Sequence, residues 1–118
     1  MNDQNALRIS ALVGAAAVGL GAFGAHGLEP TLVANNTRTV WETAALYHLV
    51  HAVLLVVLAL HAPLRRVSWW LFVAGIVIFS GTLYTLAITN VRWLGAITPI
   101  GGVALIAGWL SLFLPRRS

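Results

Sequence analysis

VWETAALYHLVHAVLLVVLALHA, residues 40–62, holds one carboxylate, Glu42, and no lysine or arginine. A hydrocarbon layer about 30 Å thick is crossed by roughly 20 apolar residues of helix. Uncharged runs this long are uncommon in water-soluble cores, so 40–62 is read as a transmembrane helix. Working outward, residues 7–26, 68–89 and 93–114 approach or meet the same length. The expected fold is therefore all-α, a polytopic membrane protein with one domain over 1–118. Its four transmembrane helices form a bundle with both termini on the same side.

The bulk numbers agree. The chain is 59% apolar and 8% charged, with a mean hydropathy of +0.88. Soluble domains carry about 25% charged residues, so this composition suits lipid as the main solvent. A formal charge of +4 could suggest nucleic acid, but the basic residues are all arginines at the ends of apolar runs: Arg8, Arg38, Arg65, Arg66, Arg92, Arg116 and Arg117. That placement marks topology and not a nucleic-acid face. There is no cysteine, hence neither disulfide nor thiolate metal site. Arg8 before an apolar run, with small residues near Ala22 and Ala25, has the outline of a secretory signal. The run is long for that role, and 7–26 is read as a retained span.

Orientation follows from the arginines. Arg8, Arg65, Arg66, Arg116 and Arg117 share one side, while Arg38 and Arg92, partly offset by Glu29, lie on the other. The positive-inside rule places both termini in the cytoplasm. Trp41, Trp69, Trp70 and Trp93 fall at span ends, where interfacial aromatics belong. Gly27 followed by Glu29-Pro30 predicts a left-handed helix end, and Thr39 with Glu42 predicts a capping box. Ala62-Pro63 closes the second span. Only residues 27–39 leave room for a small extra element.

Read by depth at about 1.5 Å per residue, His26, Tyr47, His48, His51, Ser80, Thr82, Tyr84, Thr85 and Thr98 all lie in the outer half. The inner half reads as almost wholly aliphatic. His26, Tyr47, His48, His51, Thr82, Tyr84 and Thr98 are expected to meet in one cluster. His48 and His51 share a face with Ala44, Tyr47 and Leu55, whereas Glu42 points away and is read as a cap. Ionisable residues inside a membrane suggest a functional site: a metal, a haem, a proton relay or a polar ligand. The alternative is interhelical hydrogen bonding to Tyr84, Thr82 or a carbonyl. Metal sites usually want carboxylate or thiolate help, which is missing at this depth. No catalytic residue, metal ligand or cofactor is assigned, and His61, at the inner headgroups, receives no role.

Gly14, Ala17, Gly21 and Gly24 form a narrow small-residue ridge suited to close helix packing within the bundle. Thr98-Pro99 interrupts the fourth span. Either the helix kinks there or it begins at Pro99, leaving Trp93 to Ile97 irregular.

These segments also resemble a known family. Gly21-Ala-Phe-Gly-Ala-His-Gly-Leu28, then Trp41-Glu-Thr-Ala, Tyr47-His48 and His51-Ala52, are similar to its first two helices. Phe79-Ser-Gly-Thr-Leu-Tyr84, Thr98-Pro-Ile-Gly-Gly102 and Gly108-Trp109 are similar to its last two. This is the YgdD/YwdK-like family of small bacterial inner-membrane proteins, a domain of unknown function with eukaryotic relatives. Asn35-Asn36-Thr37 stands where a more charged loop is expected. The resemblance implies four spans and a membrane address but no reaction.

Three function classes follow. The first is a non-enzymatic structural or accessory subunit of a larger membrane complex, and this is the reading adopted. The second is a small-molecule or lipid-binding protein, or a minimal transporter, using the polar cluster. The third is a haem, metal or quinone protein using His26, His48 or His51.

Overall fold

The computed structural model describes residues 3–115. Among them are five α-helices: α1 (Asp3–Ala25), α2 (Glu29–Asn35), α3 (Arg38–Leu60), α4 (Arg66–Thr89) and α5 (Thr98–Phe113). A 3-10 turn, Arg92–Ala96, precedes α5. Four helical stretches are long and apolar enough to span a bilayer: Asp3–Ala25, Arg38–Leu60, Arg66–Thr89 and Arg92–Phe113. The even number of spans returns the chain to the side on which it started. Arg116 and Arg117, used in the arginine balance, lie outside the described residues.

The helices do not form a closed square. α1 packs on α3, α3 on α4, and α4 on α5, while α1 and α5 have no close backbone approach. Sequential helices are antiparallel, so α1–α3 and α4–α5 are two hairpins joined along α3 and α4. The larger core lies toward the end that carries Arg8, Arg65 and Arg66, the inner end of the expected orientation, where Ala6, Leu55, Trp69, Phe72, Ile76 and Leu105 cluster. A smaller core at the outer end joins Leu32, Trp41 and Ala87.

Glycines set the closest approaches. A Cβ built on Gly101 would meet the Phe79 backbone, 2.8 Å from its Cα, and one on Gly75 would stand 2.7 Å from Leu105 Cγ. One on Gly108 would lie 2.7 Å from the Phe72 ring. The α4–α5 seam therefore depends on three glycines. The α1 ridge does pack inside the bundle, but less tightly: Gly14 and Gly21 would place a Cβ 3.9 Å from Ala52 and Ala45. Gly24 is the exception, because the Trp41 ring occupies its side-chain space.

Several local expectations are corrected. Gly27 has no positive φ; the left-handed positions are Asn36 (φ 55°) and Asn90 (φ 59°). Asparagine tolerates this conformation better than most side chains, and these two residues end α2 and α4. The room in 27–39 is filled by α2, with Pro30 in its first turn. No capping box opens α3: Thr37 is its N-cap and makes no side-chain cap. Its hydroxyl instead donates to Ala87 O at 2.7 Å, while Asn35 Nδ2 donates to Ala87 O and Ile88 O, each at 3.0 Å. Asn35 and Thr37 thus serve the end of α4, where helix carbonyls lack intrahelical partners. Glu42 is not a cap; it pairs with Arg38 at 3.5 Å, and Arg38 also meets Glu29 at 3.3 Å.

The tryptophans divide. Trp70 and Trp93 are exposed, as interfacial aromatics should be. Trp41 and Trp69 are 2% and 0% exposed, so they belong to the core and not to the interface. Their indole N–H groups find buried acceptors, Leu20 O at 2.9 Å and Ser10 Oγ at 3.0 Å. Trp93–Ile97 is irregular only in part, being mostly the 3-10 turn, and Pro99 sits in the first turn of α5.

Candidate functional site

The predicted cluster exists as separate hydrogen-bonded pairs. His48, on α3, places Nδ1 2.9 Å from the Tyr84 hydroxyl on α4. The Val13 backbone on α1 lies beside this ring. A ring proton on Nε2 would point toward that carbonyl, which can only accept, and Nδ1 would then accept from Tyr84. The imidazole bonds α3 to α4 and packs beside α1.

His51, one turn deeper, is arranged the opposite way. Its Nδ1 lies 2.7 Å from Tyr47 O, four residues back on its own helix. That carbonyl must accept, so Nδ1 carries the proton. Nε2 keeps its lone pair and accepts from Trp109 Nε1–H of α5 at 3.0 Å. Protonating Nε2 would set two N–H groups against each other. Both histidines are buried, 6% and 5% exposed; His51 spends both ring nitrogens on protein groups, and His48 spends Nδ1.

Thr82 and Thr98 meet at 2.7 Å. Thr82 Oγ1 is 2.6 Å from Ile78 O, so Thr82 donates back to its own helix and accepts from Thr98. Tyr47 stacks on His51 with ring centroids 6.1 Å apart and tilts against Phe79 at 4.8 Å. Its hydroxyl has no hydrogen-bond partner among the described residues, and the residue is 42% exposed. His26 does not join the others: it lies in the turn after α1 with its side chain exposed. A position just beyond a helix end is free to face the headgroups, and nothing in the bundle draws this ring inward. Ser80 is buried and donates to Ala44 O at 2.8 Å. Thr85 bonds back to Gly81 O.

The inner half is less aliphatic than expected. Trp69 donates to Ser10, whose hydroxyl lies 2.7 Å from Ala6 O. Ser68 and Ser111 meet at 2.6 Å, and Ser111 also reaches Gly108 O at 2.6 Å. Ser68 donates across to Ser111, while Ser10 and Ser111 follow the rule seen at Thr82 and His51. A side chain spends its only proton on a carbonyl three or four residues back, which turns a lone pair toward the next helix. In hydrocarbon, where an unsatisfied polar group costs several kcal/mol, this satisfies donor and acceptor together. Ser10, Trp109 and Ser111 were missed in the sequence; their signal was only a polar or aromatic residue recurring at span depth. Among the described residues no three His, Asp or Glu side chains come together as a metal-binding group.

Between α1 and α4 a groove of about 430 Å³ opens sideways, lined by Ile9, Leu12, Val13, Ile76 and Val77 among others. His48, Ser80 and Tyr84 also line it.

A sequence model of a family described as "Protein of unknown function (DUF423)" matches residues 20–102. The chain belongs to this family. A UPF0382 membrane protein of Staphylococcus epidermidis is 50% identical over 110 residues, covering 90% of this chain and 89% of the relative. A second, from Staphylococcus haemolyticus, is 46% identical over the same shares. The UPF0382 membrane protein YwdK of Bacillus subtilis is 48% identical over 102 residues, covering 81% of this chain and 82% of its own. No solved structure matches. The resemblance read from the four motifs thus holds over most of the chain. The protein is a small integral membrane protein of a family without an assigned biochemical function.

Proposed function

We propose that this protein is a structural accessory subunit, performing no catalysis of its own, that docks sideways onto a larger assembly in the inner membrane with both termini in the cytoplasm. The observation that carries the reading is Tyr47. Its Cα is nine residues into α3, roughly 14 Å from the outer end. Its hydroxyl thus faces the hydrocarbon layer without a partner among the described residues, while the other polar groups around it are paired. A polar group of a neighbouring protein would remove that cost. Leu46, Leu49, Val50 and Val53 surround it with exposed apolar surface, which suits a membrane-embedded contact. Arg8, Arg65 and Arg66 at the inner end support the orientation.

The test is photocrosslinking in native membranes. A benzophenone amino acid at Tyr47 or Val50 is expected to capture one and the same membrane protein, and at Leu12 or Val18 on α1 to capture none. Crosslinks only to lipid at every position would refute the reading. The lateral groove supports a second reading, a bound amphiphile, because Tyr84 and Ser80 keep acceptor lone pairs there. Native mass spectrometry from mild detergent separates the two: a retained amphiphile lost in Tyr84→Phe favours the groove.

A further inference from the structure

A second cavity, of about 410 Å³, opens at the inner end between the start of α4 and the end of α5. We infer that this cavity, lined by Arg65 and Arg66 with Ser68 and Ser111 behind them, binds the headgroup phosphate of an anionic phospholipid from the adjoining leaflet.

The level is right for a headgroup. α4 has 24 residues, about 36 Å, against a hydrocarbon core of about 30 Å, so its first turn emerges into the interface. The charge is right as well. Two guanidinium groups line the cavity, and among the described residues no carboxylate does. At the opposite end Arg38 is held between Glu29 and Glu42, so carboxylates offset the charge there. Arg65 is also positioned, since its NH1 donates to Leu114 O at 3.2 Å and thereby joins the two helix ends. A guanidinium has five donors in a planar fork that matches phosphate. The first turn of α4 contains no acidic residue and no side-chain cap, so its amides add to the positive field and do not oppose it.

The walls favour a lipid over a free anion. Val67 and Leu114, 71% and 60% exposed, flank the arginines with apolar surface. Beside them Arg66, Val67, Trp70 and Leu71 line a shallow depression facing outward from α4. A phosphate seated at the arginines would lay its glycerol and acyl chain along Val67 and the exposed Trp70. Basic pockets at helix ends recognise anionic headgroups by this combination of charge and apolar shoulder.

The experiment titrates the full-length protein in mild detergent with phosphatidylglycerol, phosphatidylcholine of the same chains, or inorganic phosphate, and counts adducts by native mass spectrometry. Phosphatidylglycerol is expected to bind and phosphatidylcholine to bind more weakly, with inorganic phosphate neither retained nor competing. Arg66→Gln should weaken phosphatidylglycerol about fivefold, the effect of one basic residue near an anionic surface. Arg65→Gln should do at least as much, and Arg8→Gln, at the same end but outside the cavity, should change nothing. Because Arg65 also holds the end of α5, Arg66→Gln decides the matter if the Arg65 variant is unstable. Equal binding of the two lipids, unchanged binding in Arg66→Gln, or competition by inorganic phosphate would each overturn the inference.

Discussion

Replacing Gly101 by alanine should loosen the tightest seam in the molecule. The added Cβ would stand 2.8 Å from Phe79 Cα and 2.9 Å from its Cβ, where carbon contacts prefer about 3.5–4.0 Å. The obstruction includes backbone, so no rotamer change relieves it; α4 and α5 must part by roughly 0.5–1 Å. Parting them also slackens the contacts of Gly75 with Leu105 and Gly108 with Phe72. Overpacking costs about 1–3 kcal/mol, and this site belongs at the upper end. Alanine recovers about 1 kcal/mol of helix propensity, leaving a net loss of about 2 kcal/mol. Gly19→Ala is the matched control, because its Cβ would meet nothing within 4 Å and only the propensity gain applies. Unfolding both variants by SDS titration of mixed micelles, followed by tryptophan fluorescence, should give a lower midpoint for Gly101→Ala and an unchanged or higher one for Gly19→Ala. Equal midpoints would mean that the α4–α5 approach does not limit stability.

The same assay applied to His48→Phe, Tyr84→Phe and the double variant should show a coupling of about 0.6–2 kcal/mol, the range for hydrogen bonds within membrane bundles; strict additivity would remove this bond from the account. Nitrogen-15 spectra of the ring-labelled protein should find both histidines neutral, with the proton on Nδ1 in His51 and on Nε2 in His48, and matching tautomers would contradict the geometry. Thr37→Val keeps the shape but removes the donor to Ala87 O, and a loss of about 1 kcal/mol is expected. The Thr39→Val midpoint should stay at the parental value, whereas a capping role for Thr39 would lower it. An alkaline phosphatase fused after Ser118 should be inactive, and activity there would reverse the orientation.

The four spans were legible because hydrocarbon imposes one demand along 20 residues, and no other solvent permits such runs. α2 was not, since seven residues beginning at Glu29-Pro30 carry no period, and its support comes from Asn35 and Thr37 reaching α4. Tryptophans at span ends look alike in sequence whether they face headgroups or core, which is why Trp41 and Trp69 were misplaced. His48 and His51 do reach polar groups of the neighbouring helices, but the polar residues meet in pairs and not in one cluster, for a geometric reason. Depth along a helix says nothing of rotation about it, and His48 and His51, three residues apart, point roughly 60° apart. That angle is enough to direct one ring to Tyr84 and the other to Trp109. Which residues pair within each interface depended on rotations that only the packed helices fix.

The two-hairpin arrangement has a consequence for how the protein is made. α1 and α3 pack on each other and are complete once Leu60 has been synthesised, before any of α4 exists. α4 and α5 form their glycine seam without help from the first pair. What joins the halves is the packing of α3 along α4 with its apolar core, together with hydrogen bonds: Trp69 to Ser10, Tyr84 to His48, Trp109 to His51, and Thr37 to Ala87 O. Each half is therefore expected to leave the translocon as a unit, with the hydrogen bonds between them setting the register in which the halves meet. A chain cut in the turn near Pro63 and co-expressed as two pieces should reassemble, and the same bonds would decide whether hairpins from different copies of the protein can exchange.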